Sequence, residues 1–238
     1  MSQEPEGNLE IDFYDPSKEI SGDNWIEIQK AFENSKKRGL PLPPLRLARF
    51  IKTLSEDRFQ GLNLNQTEFE SYLTAKAGDA DSIGLVADYV SAFPESRDSL
   101  VTEELWETSQ RLLKEGIEKS RAGGTTFLTT DLVIDIKVLF PDRDLGLKEV
   151  GFDELKMLYT ETLELAEKLD KDETNGMTVQ LPTQVLAIKQ SFPDRFSEIN
   201  FDSEAKRLTK KQADIAKSKG YWAFFLKHAA NLTTLSKN

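Results

Sequence analysis

The side chains that most often do chemistry in proteins do not form a catalytic or metal-binding set in this 238-residue chain. His228 is the single histidine and cysteine is absent, so a zinc site would need carboxylates alone, which is an uncommon choice. Serine is plentiful, but there is no Gly-x-Ser-x-Gly nucleophile elbow, and carboxylate pairs occur on every acidic helix. The sequence therefore predicts no catalytic residue, no metal site and no cofactor.

Two loops carry patterns that resemble ligand-binding motifs only in part. The acids that begin at Asp170 alternate as in a calcium loop, which needs glycine at its sixth position and a bidentate acid at its twelfth. Here Gly176 is seventh and Leu181 is twelfth, so a solvated loop is expected. The pair Gly123-Gly124 lacks the lysine spacing and the preceding strand of a phosphate-binding loop, and predicts a helix end.

A basic strip lies near the C-terminus, with Arg207, Lys210 and Lys211 on adjoining turns of one helix face. One interpretation is a solvated face that pairs with the acidic part of the chain. The other is a docking strip for an acidic protein or nucleic acid.

The densest aromatic cluster follows directly, and it comprises Tyr221, Trp222, Phe224 and Phe225. Apolar side chains would cover so much of this helix that either deep burial or a protein partner is expected. A membrane-surface role, with the basic strip and the aromatic rings acting together, is a third alternative. The basic strip and the aromatic cluster are together the predicted partner-binding residues.

Charge is distributed unevenly along the chain, whose net charge is −10. Residues 203–238 contain eight Lys or Arg and two Asp or Glu, which leaves residues 1–202 with a net charge of −16. An acidic body does not favour nucleic acid, because phosphate contacts need clustered cations. No signal-peptide pattern and no run of 18 apolar residues is present, which predicts a cytoplasmic protein without a transmembrane segment.

One short pattern recurs along the chain, in residues 51–58, 90–97, 138–143 and 188–195. In its clearest copies, a phenylalanine ends a helix, a proline prevents the helix from continuing, and an acid and an arginine follow. The arginine can bond a carboxylate or the free carbonyls at a neighbouring helix end. A structural corner is favoured; the alternative is that Arg58, Arg97, Arg143 and Arg195 together bind an acidic or phosphorylated ligand.

Each corner lies between a shorter apolar helix and a longer amphipathic one, and such units must stack to bury their apolar faces. The predicted fold is all-α, with helix-turn-helix repeats stacked as an α-solenoid or a compact helical array. Residues 25–37 resemble the second half of a further unit, and residues 221–235 the first half of another. Residues 40–44, which are rich in proline, are expected to be an extended connector. We expect a flexible acidic segment at 1–18 and one helical-repeat domain at 19–238.

These features favour a non-enzymatic adaptor, scaffold or inhibitor that binds another protein. One alternative is an acidic decoy or immunity-type protein that occupies a basic surface on an enzyme. Another is an enzyme with carboxylate chemistry in a groove between repeats, which a cleft acid with a strongly raised pKa would support. The partner and the oligomeric state stay open.

Overall fold

The structure is a computed structural model, and it describes residues 20–37, 42–62, 64–73, 80–122, 127–147, 149–171 and 180–237. This part of the chain is mostly helical and contains no strand, which confirms the all-α prediction. None of its helices is long and apolar enough to cross a membrane. The predicted flexible segment 1–18, the glycine pair at 123–124 and most of the acidic loop at 170–176 lie outside the described residues.

The helices follow one another along the chain as α1 Gly22–Lys37, α2 Leu42–Leu54, α3 Glu56–Gln60, α4 Gln66–Leu73, α5 Ala80–Ala92, α6 Arg97–Leu100, α7 Glu103–Arg121, α8 Phe127–Leu139, α9 Glu149–Lys171, α10 Leu181–Ser191, α11 Ser203–Ser218 and α12 Trp222–Lys237. Short 3₁₀ turns at Pro94–Ser96 and Pro193–Glu198 follow α5 and α10.

Five of these helices, α2, α5, α8, α10 and α12, form what we call the inner ring. Each packs against the next in that order, and α12 packs back against α2, so the contacts run around a closed cycle. In an open solenoid each repeat contacts only its sequence neighbours, and the first and last units stay apart. The packing of α12 on α2 therefore differs from an open stack, because the first and last helices of the cycle are in contact.

The other long helices lie outside the inner ring, one beside each member. Helix α1 packs on α2, α4 on α5, α7 on α8, α9 on α10 and α11 on α12. Helix α1 also contacts α12. The first and last helices of the described chain thus meet, and we call the place where α12 lies against α1 and α2 the seam.

The proline-rich connector differs from its prediction, because α2 already begins at Leu42 and includes Pro43 and Pro44. The backbone N–H groups of the first helical turn have no partner within the helix, so proline loses nothing there. Its fixed φ also suits a helix. The expectation of an extended chain through residue 44 is therefore wrong.

The repeated corners act as structural connections in the described chain. Phe93 and Phe140 are buried, and Pro94 and Pro193 each open a 3₁₀ turn directly after a helix. The helix cannot continue through the proline, so the chain turns at this point toward the next outer helix.

The corner arginines contact other parts of the chain. Arg97 donates to the carbonyls of Val138 and Leu139 at the end of α8, while Arg143 bonds both carboxylate oxygens of Glu103, at 2.9 and 2.6 Å. Arg195 bonds Glu198 and lies over the Phe152 ring, and Arg58 lies over the Trp25 ring. These contacts support the structural role of the corner.

Candidate functional site

A cluster of four charged side chains lies among the inner-ring helices, and we call Arg46, Arg49, Asp88 and Asp135 the ion cluster. Arg46 and Arg49 are one turn apart on α2, Asp88 lies on α5 and Asp135 on α8. Asp88 accepts from Arg46 Nε at 2.8 Å and from Arg49 Nη1 at 3.0 Å. Asp135 accepts from Arg46 Nη2 at 3.3 Å and also from Arg49 Nη1. Each arginine therefore joins both carboxylates, and one cluster connects three helices.

Three of the four members of the cluster are buried, and only the Arg46 side chain, at 28% exposure, reaches the surface. Asp88 is 0% exposed, Asp135 6% and Arg49 8%. Burial raises the pKa of Asp88 above its ordinary value, although Arg46 and Arg49 oppose the rise. Burial also acts to raise the pKa of Asp135, but the two arginines outweigh it and hold that pKa below the ordinary value. Because two positive groups face two negative ones, the cluster as a whole needs no further counter-ion.

Gly84 on α5 makes room for this arrangement. A Cβ atom at Gly84 would overlap sterically with Arg46 Nη2 and would lie only 2.9 Å from Asp135 Oδ2. Arg46 therefore passes directly over the backbone of α5 to reach Asp135 on α8. Any side chain at position 84 would displace the guanidinium from this path.

A second ion pair lies beside the cluster and ties α12 to α8. Lys227 on α12 donates to Asp131 Oδ2 at 2.8 Å, and its side chain is 13% exposed. One turn further along α12, Asn231 donates to Thr183 Oγ1 of α10 at 3.1 Å. Polar contacts thus link α12 to two other members of the inner ring.

An open groove of about 260 Å³ lies at the seam, and we call it the seam groove. Its lining residues come from α1, α2 and α12, and they are Ser35, Arg46, Leu47, Phe50, Ala223, Phe224 and Lys227. Leu47 and Phe50 are almost fully buried and provide an apolar floor, whereas Phe224 is 44% exposed at the rim. Arg46 and Lys227 add two cations to an otherwise mainly apolar surface.

The structure separates the predicted aromatic residues into two groups. Tyr221 and Phe224 are 51% and 44% exposed, and they stay available to a partner. Phe225 is 0% exposed, and partly buried Trp222 packs edge-on against it, with 5.8 Å between the ring centroids. Phe225 is therefore a core residue of the seam in this structure and offers no surface to a partner.

The predicted basic strip largely pairs within the chain. Arg207 bonds Glu204 and Asp170, and Lys211 also bonds Asp170, so both cations attach α11 to the end of α9. Arg207 and Lys211 together lower the pKa of Asp170 to about 2. Lys210 of the same strip is exposed. These pairs agree with the interpretation of the strip as a face paired with the acidic part of the chain.

His228 is completely buried on α12, and neither of its ring nitrogens has a hydrogen-bond partner among the described residues. Burial, together with the nearby charge of Lys227, lowers the pKa of His228 to about 3. The imidazole is therefore neutral in the folded protein at ordinary pH. Within the part of the chain that the structure describes, no three His, Cys, Asp or Glu side chains come close enough together to hold a metal ion.

Sequence reasoning did not find the ion cluster, although a signal was present. Asp88 and Asp135 each interrupt an apolar run, in Leu85–Val90 and Leu132–Ile136, and Arg49 stands between Ala48 and Phe50. A charge inside an otherwise apolar helix is rarely buried without a partner. The two aspartates and the arginine could therefore have been predicted to form one buried network of ion pairs.

Comparison of the chain with protein-family models, with characterised proteins and with solved structures finds no match.

Proposed function

We propose that this protein is a non-enzymatic helical adaptor that binds a short segment of another protein in the seam groove. The observation that carries the proposal is the combination, in one open groove, of an apolar floor, an exposed phenylalanine and two cations. Exposed aromatic side chains beside a desolvated pocket are frequent centres of binding energy in protein interfaces. Tyr221 extends the exposed aromatic surface next to Phe224.

The lining of the groove defines the chemistry of the segment that would fit. Leu47, Phe50 and Ala223 favour apolar side chains. Arg46 and Lys227 are already paired with aspartates, but their positive charge at the groove still favours a carboxylate over a cation in a ligand. The expected ligand is therefore a segment whose apolar residues are flanked by Asp or Glu. A basic segment would meet two cations at the same place.

The ion cluster supports this binding role by fixing one wall of the groove. Arg46 lines the groove and is held by Asp88 and Asp135, and Lys227 is held by Asp131. Side chains that are already immobilised lose little entropy when a ligand binds, which favours affinity. We also propose that the helix pairs are repeats of one unit, because inner and outer helices alternate and the corner recurs between them.

A photo-crosslinking amino acid at the rim of the groove tests the proposal. We would replace Phe224 with a benzophenone-bearing phenylalanine in cells of the native host and identify the peptides that become attached. The matched control places the same group at Leu165 of α9, which is 45% exposed and does not line the groove. We expect the group at position 224, but not the group at position 165, to crosslink to another protein. The attached segment should contain apolar residues flanked by Asp or Glu.

Two outcomes would contradict this function. One is an equal set of crosslinks from positions 224 and 165, and the other is a position-224 crosslink to basic segments only. A partner that is lost at high salt and attaches away from the groove would instead favour the acidic decoy.

A further inference from the structure

The residues that precede the first described residue, Ile20, contain a pattern that matches the seam groove. In residues 9–13, Leu9, Ile11 and Phe13 alternate with Glu10 and Asp12. In an extended chain, alternate side chains point to opposite sides, so one side would be apolar and the other acidic. This is the chemistry that the groove itself favours.

We propose that residues 9–15 of this chain occupy the seam groove in the free protein and compete there with an external partner. The inference concerns the groove of the proposed function, but it does not require that function, because the segment could cover the groove in the absence of any partner. Three further observations support it: the anchoring of the chain, its length and its charge.

The chain is anchored close to the start of α1. Ile20 is 1% exposed, and the backbone bends at Ile20 and Ser21 before the helix starts. Gly22 has a φ of 53°, a left-handed conformation that glycine adopts without strain. The proposal requires that the chain before this bend follows α1 toward the C-terminal end of the helix.

The length of chain is sufficient to reach the groove. Ser35 of the groove lies 13 residues after Gly22 on α1, which is about 20 Å along a helix that rises 1.5 Å per residue. Phe13 lies seven residues before Ile20, and seven extended residues span about 23 Å. Phe13 can therefore lie level with Ser35, and Ile11 and Leu9 can continue along the groove.

The charges are complementary along this path. Residues 8–17 contain three acids, Glu10, Asp12 and Asp15, and no base. The last turn of α1 carries Lys36 and exposed Lys37, whereas the groove cations Arg46 and Lys227 are already paired with aspartates. An acidic apolar segment is thus attracted to the end of α1, where the groove lies.

Covalent attachment would make this contact an effective competitor. A segment on a short tether is present at an effective concentration on the order of millimolar. An external segment of similar chemistry would have to exceed this concentration or bind more tightly. The chain's own segment therefore sets a threshold for partner binding.

A fluorescent synthetic peptide of residues 8–16 provides the probe, and full-length protein is titrated against it. The wild-type chain is compared with the double variant Ile11→Ser/Phe13→Ser, whose own segment has lost two apolar contacts. We expect the peptide to bind the double variant at least tenfold more tightly, roughly as competition at millimolar effective concentration requires. Adding Phe224→Ala to the double variant should remove this gain in peptide affinity.

Matched controls separate docking from general effects. Leu165→Ala in the double variant removes an exposed leucine outside the groove and should leave peptide affinity unchanged. A peptide with both Ile11→Ser and Phe13→Ser should bind none of the chains. Helicity and thermal unfolding of each variant are measured to establish that it is folded.

Equal peptide affinity for the wild type and the double variant would overturn the inference, as would a peptide that binds neither chain. A wild-type dimer that dissociates in the double variant would assign the segment to a neighbouring copy and overturn the intramolecular form. A different result would contradict the proposed function and leave this inference standing. In that case the peptide binds the double variant more tightly, as expected, but the crosslinker at position 224 attaches only to residues of the same chain. If position 224 crosslinks an external segment and the peptide binds both chains equally, the function stands and this inference fails.

Discussion

At the scale of single residues, the ion cluster contrasts with the surface ion pairs of the same protein. Asp88 and Asp135 have lost their hydration, and their bonds to Arg46 and Arg49 offset that loss. A buried cluster of this kind contributes little net stability compared with apolar residues of the same shape, but the loss of one member leaves an uncompensated charge. We therefore expect the cluster to specify which helices meet rather than to add net stability.

Replacing Asp135 with Asn tests this role. The variant keeps the size of the side chain but leaves Arg46 and Arg49 short of one negative charge, so we expect a loss of about 3–5 kcal/mol in the free energy of unfolding. Urea unfolding followed by circular dichroism measures it. In the exposed pair of Arg111 and Glu115, Glu115→Gln should change the same quantity by less than about 0.5 kcal/mol. Equal losses of unfolding free energy at the two sites would contradict the burial of the ion cluster.

His228 predicts a pH dependence of stability. Its pKa falls from an ordinary value of 6.5 to about 3 on folding, so between these values the unfolded chain binds a proton that the folded chain does not. The contribution of neutral His228 to the free energy of unfolding is fully present above pH 6.5. It decreases by about 1.4 kcal/mol per pH unit as the pH falls from 6.5 toward 3.

The variant His228→Leu removes this titration. Between pH 7.5 and pH 5.0, the wild-type chain should lose on the order of 2 kcal/mol more of its unfolding free energy than the variant, as measured by urea unfolding at both values. Carboxylates titrate in both proteins and cancel in the comparison. Identical losses would mean that the imidazole is accessible to protons in the folded chain.

At the scale of elements, the inner helices differ from ordinary core helices in carrying charged or small residues toward their neighbours. Gly84 illustrates this, because glycine inside a helix costs about 1 kcal/mol relative to alanine. At this position the cost is offset by the path that it leaves open between Arg46 and Asp135. Helix propensity and packing therefore oppose each other at one residue.

The variant Gly84→Ala should thus be destabilised, by on the order of 1–3 kcal/mol, although alanine is the better helix former. In an Arg46→Ala background most of the conflict disappears, so the same substitution should become neutral or stabilising. A double-mutant cycle from urea unfolding measures the coupling between the two positions. Stabilisation by Gly84→Ala in both backgrounds would show that Arg46 does not cross α5 at this point.

Most helices and their ends could be predicted because their causes are local. Thr102 caps α7, with its hydroxyl accepting from the Leu105 N–H at 3.2 Å, and Asp202 caps α11 through the N–H groups of Glu204 and Ala205. The start of α2 was missed because the restriction on residues before a proline was given more weight than the fit of proline in a first helical turn.

At the scale of the whole molecule, the inner ring makes the two ends of the chain depend on each other. Helix α12 provides packing for α2, α10, α11 and α1. A cluster of buried residues at the seam joins Ile28 and Phe32 of α1, Ile51 of α2, and Phe225 and Leu232 of α12. Loss of α12 would expose apolar surface at the beginning of the chain as well as at its end.

A chain that ends after Gly220 tests this closure. An open stack loses a terminal unit with a limited decrease in stability, because each unit contacts only its neighbours. In the closed arrangement we expect loss of the cooperative urea transition and of the near-ultraviolet circular dichroism signal. The point variant Leu232→Ala, in a chain of full length, should keep a cooperative transition with a loss of about 2–5 kcal/mol. A truncated chain that unfolds cooperatively would contradict closure.

The sequence by itself determined the all-α class and the recurring corners, because each depends on residues within one or two helical turns. Only the tertiary structure decided that α12 meets α2, that Phe225 is buried while Phe224 is exposed, and that Arg46, Arg49, Asp88 and Asp135 share one cluster. The physical reason is that helical periodicity shows which residues share a face but does not show which helix covers that face. That choice depends on contacts between residues that are distant in the chain. Asp131 and Lys227 are 96 positions apart, and the residues of α2 and α12 that meet are separated by even more.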